Sequence, residues 1–160
     1  MIQIQSPSNI LITNFPMPPS INQQLMSVRG RMIKTRVAHQ FDSEVNRFII
    51  KNLRNAEKIR DEIRPILKEN GLRIDCFFCF HEPRVLTKTK KAKDWVKVLD
   101  ANNRLKSTLD AVSRLIGVDD KFFFTGICEK VICKSLDEEQ VIIKITPTTL
   151  RTLDQIKKQI

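Results

Sequence analysis

The stretch from Lys97 to Phe124, KVLDANNRLKSTLDAVSRLIGVDDKFFF, carries the residue types from which hydrolytic chemistry can be built. Asp100 lies near one end, Asp119 and Asp120 near the other, with Asn102, Asn103, Lys106 and Asp110 between. Two carboxylates brought together without a compensating side chain repel each other, and a divalent cation is the usual remedy. Mg²⁺, bound by few carboxylates and several waters, suits phosphodiester chemistry. Spacing alone leaves convergence open: one helix and its turn separate Asp100 from Asp120, so they meet only if Asp120 folds back along the helix or meets another chain. Each group also has a plainer use. Asp100 stands where an N-cap would take the free N–H groups of a first turn, and Asp119 and Asp120 can simply start a strand.

The elements that must position these residues follow from periodicity. Leu105, Leu109, Val112 and Ile116 form an apolar helical stripe, while Asn103, Lys106, Asp110 and Ser113 form a polar one that begins beside Asp100. Gly117 suits a left-handed C-cap. Upstream, MIQIQSPSN reads as a loose lead-in and ILITNF as a strand. Pro16, Pro18 and Pro19 of PMPPSINQQL then exclude a helix and favour a stiff, extended loop. MSVRGRMIKT predicts a hairpin or bent arm at Gly30 that carries Arg29, Arg31 and Lys34. From about Val37 to Lys68 the apolar residues recur at helical spacing, which predicts one long helix over the sheet. LRIDCFFCFHE, KFFFTGICEKVICKS and QVIIKITPT read as strands, the last two joined by a polar turn at LDEE, and LRTLDQIKKQ as a short terminal helix. The expected fold is a mixed α/β (α+β) domain: a small mixed sheet packed against a long helix and a shorter, motif-bearing one. One domain spans 1–160, with its core over about 10–147 and a C-terminal helix over 148–160.

Lys and Arg number 28 against 18 Asp and Glu, a net charge of +10 that favours a polyanionic partner such as nucleic acid. An anionic membrane would satisfy the charge equally. No segment is long and apolar enough to span a bilayer, however, and the N-terminus lacks a signal-peptide layout, so the expectation is a cytoplasmic protein without membrane partners. Lys88, Lys90, Lys91 and Lys93 crowd one loop just ahead of the acidic stretch, where they suit phosphate contact as well as hydration. The hairpin residues Arg29 and Arg31 have the same two readings. Cys76, Cys79, Cys128 and Cys133 sit in strand-like runs that point the members of each pair to opposite faces, so buried thiols are expected in place of a zinc knuckle.

Three ordered motifs, PMPPSINQQL, DANNRLKSTLDAV and GVDDKFF, resemble the RusA family of Holliday-junction resolvases over roughly Ile10 to Thr146. The family pattern is P-x-P-P-S-x-N, then D-x-D-N-x-x-K-x-x-x-D-A, then D-D before a strand. Asp100, Asn103, Lys106, Asp110 and Ala111 match the second motif, and Asp119 and Asp120 the third. The resemblance implies an Mg²⁺-dependent endonuclease, with Mn²⁺ able to substitute, that acts as a homodimer and nicks four-way DNA junctions symmetrically in recombination and repair. It carries over Asp100 and Asp120 as catalytic metal ligands and Lys106 as the basic group at the scissile phosphate. Arg29, Arg31, Asn103, Lys106 and the lysine loop are then nucleic-acid contacts. Asn102 departs from the pattern, since stricter members have aspartate there. An amide oxygen still ligates a metal but brings no charge, which implies weaker or fewer bound ions. That departure supports a second reading, a catalytically weak or inactive branched-DNA-binding dimer. A third, an RNA-binding module, rests only on Phe122 to Phe124, at least one of which is expected in the core.

Overall fold

The computed structural model describes residues 1–6, 9–85 and 101–157. Asp100, Lys88, Lys90, Lys91 and Lys93 therefore lie outside the described residues. Within them, period-two alternation builds a mixed sheet. Strand β1 (Ile2–Ser6) pairs antiparallel with β2 (Asn9–Phe15), placing Ile2 opposite Ile12. The lead-in is thus a strand. Its alternating isoleucines carry the period of a half-buried edge, and Ile2 is buried.

After the proline loop and a 3₁₀ turn at Ile21–Gln23 come β3 (Leu25–Val28) and β4 (Arg31–Lys34), a separate two-stranded hairpin. Arg29 and Gly30 have φ of 50° and 76°, so both central residues of the turn adopt the left-handed conformation that matches the twist of a tight hairpin.

The expected long helix is two. Helix α1 (Arg36–Lys51) ends at Asn52, whose φ of −115° and ψ of 20° break the run, and α2 (Leu53–Ile66) follows. Apolar spacing continues across the break because both helices bury a stripe, α1 through Phe41 and Val45 and α2 through Ala56, Ile59 and Ile63. Pro65 falls in the last turn of α2 without ending it sooner.

Strand β5 (Gly71–His81) is the hub, and it leads into a single turn, α3 (Glu82–Val85). Helix α4 (Asn102–Ile116) precedes a 3₁₀ turn at Asp120–Phe122, then β6 (Phe123–Thr125), β7 (Cys128–Cys133), β8 (Gln140–Thr148) and α5 (Leu153–Lys157). The run read as one strand over KFFFTGICEKVICKS is therefore two, both parallel to β5, and a 3₁₀ turn at Leu136–Glu138 replaces the simple polar turn. The order is β1-β2-β8-β5-β6, with β7 also on β5 and β8 antiparallel to both β2 and β5.

Alternate residues of β2, β5 and β8, among them Ile12, Phe78 and Ile143, meet α1, α2 and α4 in one hydrophobic core. Phe122 and Phe123 pack against its edge. Cys76 and Cys79 are buried on β5, and burial pushes the Cys76 thiol up to about 12, with smaller contributions from Cys128 and Asp75. Such a thiol stays protonated and inert at neutral pH.

Candidate active site

Helix α4 presents two faces. The buried one carries Thr108, Ala111, Val112, Leu115 and Ile116, with Leu105 and Leu109 packed at its margin. It also carries Arg104, only 7% exposed, although no local pattern marks this arginine for burial. The Arg104 guanidinium donates to the Pro18 carbonyl and lies 5.4 Å from the centroid of the Phe80 ring. That is the use of the proline loop: a rigid carbonyl-bearing arm docked on α4 by a charged donor stacked on the core. A second tie runs from the Gln24 side-chain amide, which donates to the Pro19 carbonyl at 3.1 Å and to Ser107 Oγ at 2.7 Å. The base of the hairpin is thereby fixed to the helix.

The C-terminus of α4 is held from three directions. Gly117, at φ 65°, provides the expected left-handed cap. Ser113 Oγ donates to the Val118 carbonyl, and Arg60 of α2 donates to the carbonyls of Arg114 and Leu115 at 3.3 and 3.1 Å. Carbonyls left free by the helix end are thus satisfied, and the chain is aimed into the acidic turn. There Asp119 accepts the Lys121 N–H at 3.0 Å, and its second oxygen lies 3.4 Å from Lys121 Nζ. The Lys121 N–H above all holds the Asp119 carboxyl below the usual carboxylate range.

These elements enclose a cleft of about 880 Å³. Its walls include Asp110, Ser113, Arg114, Asp119 and Asp120 from α4 and its turn, Asp42 from α1, and Leu25 and Lys34 from the hairpin. Lys34 Nζ lies 2.7 Å from Asp42 Oδ2, and an Arg114 guanidinium nitrogen lies 3.4 Å from Asp42 Oδ1. Burial raises the Asp42 pKa, but the Lys34 and Arg114 contacts outweigh it and leave the carboxyl below its ordinary value.

Among the expected site residues, the cleft therefore receives Asp120. Asn102 and Lys106 are exposed and Asn103 half-buried on the first turns of α4, with Lys106 four residues before Asp110 on the same polar stripe. The helix begins at Asn102 with Ala101 as N-cap, one residue later than a cap at Asp100 would place it. Arg29 and Arg31 stand exposed at the hairpin tip. Asp42, Arg104 and Arg114 escaped the sequence reading. Nothing local marks a charged residue for convergence with partners tens of residues away.

The described residues contain no group of three metal-ligating side chains. What they offer suits a hard cation all the same: oxygen donors only, with the adjacent Asp119 and Asp120 carboxyls facing one groove that Asp110 shares. No helix among the described residues is long and apolar enough to cross a membrane.

No curated protein sequence matches the chain. The family model for endodeoxyribonuclease RusA matches residues 16–146, a span that takes in the proline loop, the hairpin, α4 and the acidic turn. The chain belongs to the RusA family of Holliday-junction endodeoxyribonucleases.

Proposed function

We propose that the chain cuts four-way DNA junctions with Mg²⁺, Mn²⁺ substituting, and that it works in the cytoplasm as a homodimer of single domains making paired, symmetric nicks. The observation that supports this most is the cleft lined by Asp110, Asp119 and Asp120 in a chain carrying a net charge of +10. Carboxylates that face a polyanion are repelled by it unless a cation intervenes.

In this reading Asp120 and Asp100 hold the metal and Asn102 adds a neutral oxygen. When bound, the ion orients a water and lowers its pKa. Asp119 keeps the turn rigid, since its carboxylate is engaged with Lys121. Lys106, exposed one turn from Asp110, stabilises charge on the phosphoryl oxygens. Arg29 and Arg31 reach the duplex arms from the hairpin tip, while Asn103 and Lys88, Lys90, Lys91 and Lys93 contact the backbone.

The test is cleavage of a synthetic four-way junction beside linear duplex, in Mg²⁺ or EDTA, by wild type and Asp100→Asn. Paired nicks confined to the junction, lost in EDTA and in the variant, are expected. Tight junction binding without nicks in any metal would replace this reading with the inactive branched-DNA-binding dimer, which the neutral Asn102 favours.

A further inference from the structure

The Lys34–Asp42–Arg114 cluster has no part in the metal site, yet it lines the same cleft. Its geometry is that of an anion held between two cations that come from different elements: Lys34 from the hairpin and Arg114 from the last turn of α4. The lysine and arginine side chains are 54% and 44% exposed, so both can be reached by a ligand, whereas the carboxylate between them is 28% exposed. Exposed ion pairs contribute little to stability, and the cluster lines the groove that Asp110, Asp119 and Asp120 share. The two oxygens of a carboxylate and the two non-bridging oxygens of a phosphodiester are spaced almost alike, and guanidinium and ammonium groups bind either.

We propose that Lys34 and Arg114 form a binding subsite for a DNA backbone phosphate, and that Asp42 occupies it as a built-in competitor that the phosphate displaces. The proposal rests on the nuclease reading above. It places a phosphate in the cleft that Asp119 and Asp120 also line. Displacement releases Lys34 from α1, while Gln24 continues to tie the hairpin base to Ser107. Asp42 then raises the threshold for nonspecific duplex, since every phosphate that enters must first exchange with it.

The experiment is fluorescence-anisotropy titration of a four-way junction in EDTA, where no cleavage occurs, across a series of NaCl concentrations. Asp42→Asn is expected to tighten binding severalfold, because it removes the competitor and leaves both cations. Arg114→Gln is expected to weaken binding and to flatten the slope of log K against log salt by about one. A purely structural ion pair predicts that Asp42→Asn tightens binding no more than Glu57→Gln, which removes the same charge from exposed α2, and equal effects of the two or weaker binding by Asp42→Asn would overturn the proposal. Arg114→Gln alters an exposed side chain and provides an independent check should Asp42→Asn fail to fold, and an unchanged slope there would also overturn it. Wild type that binds no junction at all would sink the nuclease reading itself. Wild type that binds and cuts, with Asp42→Asn and Arg114→Gln behaving like it, would sink the subsite alone.

Discussion

Two sets of residues lining the cleft use the same side chain in different ways. In one, Asp42 sits between Lys34 and Arg114 with its charge already neutralised. In the other, no ion pair among the described residues reaches Asp110 or Asp120, and Asp119 is engaged only with its own turn. A carboxylate with cations in place can hold structure or exchange partners. Carboxylates without a neighbouring cation attract one from solution. The partners within reach therefore distinguish these side chains more clearly than residue type does.

That contrast is broken or sharpened by substitution. The largest effect is expected from Asp120→Asn, which should lower junction cleavage by about 10²-fold or more while junction binding in EDTA persists. Asp119→Asn, whose oxygens serve the Lys121 contacts, should cost severalfold at most, and equal losses for the two would erase the distinction drawn between them. Next in size is Arg104→Met, which leaves the Pro18 carbonyl unanswered and frees the proline loop. Its thermal melt should report a loss of about 1–3 kcal/mol. Gly117→Ala forces a left-handed conformation on an L side chain and brings its Cβ to 3.0 Å from Arg60 Nε. About 1–2 kcal/mol should be lost, seen in the denaturation midpoint.

The smallest effect belongs to the neutralised set. Asp42 has a folded pKa below its unfolded value, so its stabilising contribution is fully present above the unfolded pKa and is lost as pH falls through the folded one. The melting temperatures of wild type and Asp42→Asn should differ at neutral pH, begin to converge as pH falls past the unfolded pKa of about 3.9, and meet only below the lower folded one. A gap that persists to lower pH would mean that Asp42 matters for packing and not for charge.

Local periodicity made much of this legible. The polar stripe of α4, the left-handed cap at Gly117, the hairpin at Gly30 and the strands β5 and β8 all carry their signals within a few residues of themselves. The break at Asn52 does not, because Phe48, Ile49 and Ala56 keep the apolar spacing across it, and Asn52 can belong to a helix or end one. Strand β1 was readable in the alternation of Ile2 and Ile4, but the Pro7 that follows drew the reading towards loose chain. Arg104 violates the rule that charged residues face out, and the Pro18 carbonyl and the Phe80 ring that receive it are distant in sequence. The cleft itself was half legible: motif order named Asp120, while Asp42 and Arg114 join it through contacts 72 residues apart in the chain.

Strand β8 deserves a different description in this light. Among the described residues it is the strand that joins the β1–β2 pair to β5 and its parallel partners. The hairpin and α1, which bring Lys34 and Asp42, continue from β2. Helix α4 and the acidic turn, which bring Arg114 and Asp120, lie between β5 and β6. The sheet thus works as a caliper with β8 as its pivot. A strand that lines none of the cleft sets the gap between the jaws through its register against β2 and β5.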